Sequence, residues 1–178
     1  MIPPEALREF RAFLELRLLG ALDRRAIAYW GDVTVVLTKA LCDLGRHLGC
    51  VVEVERPYPG LADDTGRLRS DVHWSGPAEH LWEIDRTVKA DSAAKLRASG
   101  EPERTWVLWA KDNDLLSLRL IDLGGINLLI LGHDVRKLVW ERLLAERFQR
   151  MELQSIVAKS KRFEAARRLD EAIRSGAS

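Results

Sequence analysis

The chain contains very little cysteine and no long apolar segment. Cys42 and Cys50 are its two cysteines among 178 residues, and their spacing is not that of a metal-binding pair. Two cysteines cannot build a disulfide scaffold, so we expect both to be packing residues in a reduced, cytoplasmic setting. No apolar run approaches the roughly 18 residues of a membrane span, and residues 1–5 lack the features of a signal peptide. We therefore expect no membrane association.

Several sequence signatures of catalysis are missing as well. The chain has no Gly-rich phosphate loop, no HExxH motif and no paired CxxC motif, which argues against nucleotide-binding folds and zinc sites. Hydrophobic residues make up 47% and charged residues 31% of the chain, a composition typical of a folded domain. The length is sufficient for one domain with a full core.

The net charge of +1 conceals an uneven distribution. Residues 136–178 contain 11 Lys/Arg and 6 Asp/Glu, whereas residues 1–135 contain 17 and 21. The basic C-terminal segment could therefore contact nucleic acid. A solvated helix face rich in arginine is an equally good interpretation of the same pattern.

Hydrophobic periodicity predicts an alternation of helices and strands. Two N-terminal helices are expected, the first to about Gly20 and the second capped by Asp32 and ended by Gly49. The later segments are predicted as strand 51–55, polar loop 58–68, strands 69–74 and 81–86, helix 92–99 capped by Asp91, strand 105–110, helix 113–120, strand 126–131 and helices from Asp134 onward. This order predicts an α/β fold with one mixed sheet and helices on both faces.

Two neighbouring strands contain the most informative residues. Apolar and polar residues alternate in Arg69–Trp74 and again in Leu81–Arg86, and the turn between them predicts a hairpin. Matching the apolar faces sets Asp71 across from Glu83 or Asp85, and paired strands lie roughly 4.8 Å apart. The carboxylates could therefore converge on one cation, although a solvated sheet face would show the same alternation.

The order αβββαβ, with an acid opening the second strand and two acids in the third, resembles the PD-(D/E)xK nuclease superfamily. Arg69–Val72 is similar to the "PD" strand of that family, and Glu83–Asp85 is similar to its (D/E)xK tripeptide. The resemblance covers roughly residues 28–131. It implies a restriction-endonuclease-like core in residues 1–133, followed by a C-terminal helical extension, 134–178, of the same domain.

The lysine of the family motif is replaced by Asp85 in this chain. The resemblance implies that a lysine from the following helix could take its role, and Lys95 lies on that predicted helix. Lys89, just after the strand, is a second candidate. His73 shares a face with Asp71 and could line the site without being a ligand.

The resemblance implies a metal-dependent nuclease that hydrolyses phosphodiester bonds, with DNA as the expected nucleic acid. Asp71 and Glu83 would hold Mg²⁺ or Mn²⁺, and Asp85 or Lys95 would complete the catalytic set. Two carboxylates suffice because Mg²⁺ keeps several water ligands. The alternative is a catalytically inactive nuclease-like fold that binds nucleic acid or a protein.

The C-terminal helices have an apolar stripe longer than one sheet face requires. We expect this stripe to form a homodimer or a partner interface, with Arg142, Arg147 and Arg150 on the opposite face. The alternative is an intramolecular hairpin, with a break near Lys159–Lys161 and the last part folded back on the first.

Overall fold

The computed structural model describes residues 3–57 and 69–174, in which five strands form one sheet flanked by helices. The predicted polar loop from Tyr58 to Leu68 lies outside the described residues. The described elements are α1 (Pro4–Asp23), α2 (Trp30–His47), β1 (Val51–Pro57), β2 (Arg69–Ser75), β3 (His80–Asp85), α3 (Ala90–Ala98), β4 (Glu103–Leu108), α4 (Asp112–Leu115), a 3-10 turn (Leu116–Leu120), β5 (Asn127–Ile130) and α5 (His133–Arg174).

The strands follow one another across the sheet in the order β1-β2-β3-β4-β5. Strand β2 pairs antiparallel with both β1 and β3, whereas β3, β4 and β5 run parallel to one another. The predicted hairpin is present, with its turn at residues 76–79. The sheet is therefore mixed, and the α/β class predicted from the sequence is confirmed.

The two faces of the sheet are covered by different helices. On one face, apolar side chains of the strands pack against α1, α2 and the start of α5; among them are Val72, Trp74, Trp82, Ile84 and Trp109. The opposite face packs Leu81, Trp106 and Leu108 against Ala93 and Leu96 of α3. Because β3 alternates between these faces, Glu83 and Asp85 point toward α3.

The sequence predicted the end of α2 correctly but not its start. The helix begins at Trp30, so Asp32 is not its N-cap; the Asp32 carboxylate instead accepts bonds of 2.7 Å from the N–H groups of Ala28 and Tyr29. Gly49 ends the helix as predicted, with a φ of 79°. Similarly, α3 begins at Ala90 with Lys89 at its N-cap, which makes the predicted cap at Asp91 wrong.

Helix α5 runs without interruption from His133 to Arg174, a length of about 63 Å at 1.5 Å per residue. The predicted break near Lys159–Lys161 is therefore wrong, and so is the hairpin that depended on it. That segment contains no Gly or Pro, and a serine lowers helix stability by only about 0.5 kcal/mol. In the described part of the chain, no helix is both long and apolar enough to cross a membrane.

Candidate active site

Asp71 lies where the β2–β3 ladder ends. The last pair of the ladder is Val72 with Trp82, and continuing the register by one residue places Asp71 opposite Glu83. Here the Asp71 side chain replaces a backbone partner, because its Oδ2 accepts a 2.6 Å hydrogen bond from the N–H of Ile84. This register places Asp71 and Glu83 at neighbouring positions of the sheet, as the sequence predicted.

Asp71 has a raised pKa. Burial is the main cause, the Asp85 carboxylate adds to the increase, and the hydrogen bond from Ile84 opposes it. Lys89 and Lys95 also lower the pKa of Asp71, so both ammonium groups act on this carboxylate. A partly buried carboxylate beside a second one is poorly solvated, and a bound cation would relieve that cost.

Asp85 is buried and receives three side-chain donors. Ser92 of α3 donates to its Oδ2 at 2.6 Å, and the indole N–H of Trp106 donates to the same oxygen at 3.1 Å. The Lys89 ammonium contacts its other oxygen, Oδ1. Asp85 thus joins β3, α3 and β4, and it contacts the Lys89 ammonium at the start of α3.

Glu83 and Lys95 form the second ion pair of the site. The Lys95 ammonium lies 3.6 Å from Glu83 Oε1. Both side chains are largely shielded from solvent, with 23% of the Lys95 side chain and 8% of the Glu83 side chain exposed. Lys95 reaches the sheet because Leu96, next to it on α3, is fully buried against β4. Five charged side chains, Asp71, Glu83, Asp85, Lys89 and Lys95, therefore surround the C-terminal part of β3.

The site offers two carboxylates that could bind a divalent cation. Among the described residues, no group of three or more His, Cys, Asp or Glu side chains is placed to hold a metal ion. Asp85 is occupied by its own donors, which leaves Asp71 and Glu83 as the candidate ligands. Mg²⁺ is compatible with that number, because it is commonly bound by one or two carboxylates and several waters.

His73 belongs to a separate polar cluster. Its ring is buried, lies 2.6 Å from the Arg56 guanidinium, and lies 3.5 and 3.4 Å from Glu53 and Glu101. These contacts tie β1 to β2. The sequence-based expectation that His73 lines the Asp71 site therefore has no contact to support it.

Ser92 and Trp106 were not identified from the sequence. Ser92 occupies a buried position of α3 next to Ala93, so a hydroxyl there needs an acceptor. That requirement is a sequence signal, but the identity of the acceptor depends on how α3 sits on the sheet. Trp106 was interpreted as a core residue, and it is one; its N–H additionally binds Asp85.

Comparison of the chain with protein-family models, with curated proteins and with solved structures gave no significant match.

Proposed function

We propose that the chain is a metal-dependent nuclease of the PD-(D/E)xK type that hydrolyses phosphodiester bonds, with DNA as its substrate. The supporting observation is the convergence of Asp71, Glu83, Lys89 and Lys95 around the end of β3, close to the buried Asp85. A partly buried carboxylate with a raised pKa, such as Asp71, beside buried charges favours a functional site over a structural one. A cytoplasmic location remains a prediction from the cysteine content.

In this proposal Asp71 and Glu83 hold Mg²⁺ or Mn²⁺. The ion would supply polarisation of a phosphoryl oxygen and a lowered pKa of a bound water. The lysines act on the substrate directly: an ammonium near the cleaved phosphate stabilises the charge that develops there. Lys95 is the first choice for this role, because it contacts Glu83, which would hold the ion, whereas Lys89 is bound to Asp85.

Asp85 has a positioning role in this proposal. The family motif places a lysine where this chain has Asp85, and here the carboxylate contacts the ammonium of Lys89. Lys89 thus provides a second positive charge beside that of Lys95, and it is oriented by the residue that replaces the usual lysine. Ser92 and Trp106 restrain the Asp85 carboxylate through the bonds at its other oxygen.

The test is a cleavage assay with Mg²⁺ or Mn²⁺ on plasmid, linear, branched and RNA substrates. We expect cleavage by the wild-type protein, a loss of about 100-fold or more for Lys95→Ala, and a smaller loss for Lys89→Ala. Arg119→Ala, which removes an exposed cation elsewhere, is the matched control. Cleavage that persists in both lysine variants would contradict their roles, and absence of cleavage on every substrate would contradict the nuclease.

A second candidate is an inactive nuclease-like fold that acts as a binding module for nucleic acid or protein. One observation favours it: Glu83 and Asp85 are already neutralised by Lys95 and Lys89, so the site has its counter-charges within the chain. Such a protein would be folded and would bind its partner equally well in a metal chelator and in Mg²⁺. Metal-dependent cleavage by the wild type would exclude this candidate.

We also propose that α5 forms a homodimer. Five large apolar side chains of α5 are between 52% and 64% exposed: Phe148, Met151, Leu153, Ile156 and Val157. A helix that cannot bury such a surface within its own chain tends to pair with another helix. Light scattering at micromolar concentration should give about twice the chain mass of 20.2 kDa, and a strict monomer would contradict the dimer.

A further inference from the structure

Three tryptophans form a ring cluster beside the C-terminal ends of the parallel strands. The ring centroids of Trp30 and Trp140 are 4.3 Å apart, and those of Trp30 and Trp109 are 6.4 Å apart. Trp109 is fully buried, whereas Trp30 and Trp140 reach the surface. Tyr29, next to Trp30 in the chain, is 59% exposed. The cluster joins the start of α2 to α5.

Cations cover the exposed rings of this surface. Arg86 lies 5.7 Å from the ring centroid of Trp30, and Lys111 lies 4.2 Å from that of Trp140. Arg150 lies 3.5 Å from the ring of Tyr29 and donates a 3.2 Å hydrogen bond to the carbonyl of Ala28. Contacts of this kind hold a cation in place while leaving its charge uncompensated.

Within the described part of the chain, these cations have no acidic partner. Neither Arg86, Lys111 nor Arg150 forms an ion pair with a described carboxylate, and the same is true of the exposed Arg147. In contrast, Arg142 on the same helix is paired with Glu146. We call Arg86, Lys111, Arg147 and Arg150 the basic strip.

Two acidic residues at the Lys111 end of the basic strip are neutralised locally. Asp112 is bound by His133 at 2.8 Å and by Arg136 at 2.7 Å. Glu141 has Lys137 as a neighbour at 4.0 Å. The basic strip therefore keeps a net positive charge that an anionic partner could use.

The surface is extended along α5. A hollow of about 250 Å³ lies at one end, between Tyr29 and Arg147, and one of about 230 Å³ lies at the other, between Lys111 and Lys137. From Lys137 to Gln154, a lining residue of the first hollow, the helix advances about 25 Å. That distance corresponds to about seven base pairs of a duplex at 3.4 Å each.

We propose that the basic strip binds the phosphate backbone of a nucleic-acid duplex. The aromatic faces are taken by cations and by one another, so the stacking platforms used by single-strand binders are not offered here. Arg147 and Arg150 lie on α5, and Arg86 and Lys111 lie in the connections after β3 and β4. Cations spaced over a surface in this way match phosphates and do not read base edges. Binding is therefore expected to be salt-dependent and independent of sequence.

The basic strip and the candidate active site face different sides of the sheet. Arg86 follows Asp85 directly in the chain, but Arg86 lies over Trp30 of α2, whereas the Asp85 carboxylate binds Ser92 of α3. The proposed binding therefore does not depend on the proposed function.

The test measures binding separately from cleavage. Fluorescence anisotropy with a labelled 20-base-pair DNA duplex is recorded in a metal chelator, over a series of salt concentrations. The variant Lys111→Ala with Arg147→Ala is compared with the control Lys39→Ala with Arg119→Ala, which removes the same charge from two exposed residues outside the basic strip.

We expect the variant of the basic strip to lose about 10-fold or more in affinity. The slope of log K against log salt concentration should become shallower by about 2. The control should stay within about twofold of wild type. Equal losses in both variants, no binding by wild type, or tighter binding of a single strand than of the duplex would overturn the proposal. Because no metal is present, this assay measures binding alone. Binding here, together with no cleavage in the separate assay with Mg²⁺ or Mn²⁺, would reject the nuclease and leave the basic strip standing.

Discussion

The two faces of β3 are buried to a similar extent but are built from different residues. Toward α1 and α2, Trp82 and Ile84 pack among other apolar side chains, and the titratable residue on that face is His80. Toward α3, Glu83 and Asp85 are only 6% and 5% exposed, and both are charge-paired. The same strand therefore has one face that is apolar and another that is ionic.

The proposed function accounts for this difference, because an ionic face is expected where a site needs charges that stability does not require. A buried ion pair is often no more stable than well-packed apolar residues of similar volume, and the opposite face demonstrates that this chain can supply tryptophans to fill such a layer. His80 shows the same difference between the two faces. Its pKa is lowered to about 3 by burial, so the apolar face keeps its polar residue neutral.

The largest effect on stability is expected from removing Asp85. In Asp85→Ala, Ser92 and Trp106 would keep buried donors without an acceptor, at about 1–3 kcal/mol for each group. We expect the free energy of unfolding to fall by about 3 kcal/mol in urea titrations. Asp85→Asn retains an acceptor oxygen and should lose clearly less; equal losses would show that the hydrogen bonds at Asp85 do not stabilise the ionic face.

On the apolar face, the closest contact joins α2 to β2. A Cβ at Gly45 would lie 2.5 Å from Nε1 of the buried Trp74, so the helix backbone and the indole would have to separate. Gly45→Ala should lower the free energy of unfolding by about 2 kcal/mol, as overpacking does. Gly31→Ala is the control, because nothing lies within 4 Å of its Cβ position; similar losses in both variants would contradict the close approach.

The neutral His80 predicts a pH dependence of stability. Its pKa in the folded protein, about 3, lies below the ordinary value of 6.5, so the unfolded chain binds more protons between these limits. Stability should therefore fall as the pH decreases through this window. From pH 7 to pH 5 we expect His80 to account for about 2 kcal/mol, measured as the difference between wild type and His80→Gln. Parallel curves for the two proteins would contradict a neutral His80.

The smallest effect is expected at Asp71 and has the opposite sign. Its raised pKa means that the ionised carboxylate is destabilised in the folded protein. Asp71→Asn keeps an acceptor for the N–H of Ile84 and removes the charge, so it should raise the free energy of unfolding at pH 7 slightly. A loss of stability in urea titrations would show that the charge of Asp71 is structurally required.

The sequence was sufficient for features that depend on local patterns. Alternation in residues 69–74 and 81–86 predicted the hairpin and the face shared by Asp71 and Glu83, because a period of two fixes which side chains share a face. The partners of Asp85 could not be predicted. Ser92 and Trp106 reach it only through the packing of α3 and the parallel pairing of β4, which are tertiary contacts.

Helix ends were the least predictable local feature. Asp32 and Asp91 are both good N-cap residues, yet each lies inside the first turn of its helix, where an acid also interacts favourably with the helix dipole. The sequence does not distinguish these positions. For α3 the difference matters, because the earlier start places Lys89 at the N-cap, where it can reach Asp85.

The most direct test of the account is calorimetric titration with Mn²⁺ of wild type, Asp71→Asn and the control Asp91→Asn, an exposed acid on α3. We expect one bound ion per chain for wild type and for Asp91→Asn, and an affinity at least 10-fold lower for Asp71→Asn, because one of two ligating carboxylates is lost. Equal Mn²⁺ affinity in wild type and Asp71→Asn would contradict a metal site at Asp71 and Glu83.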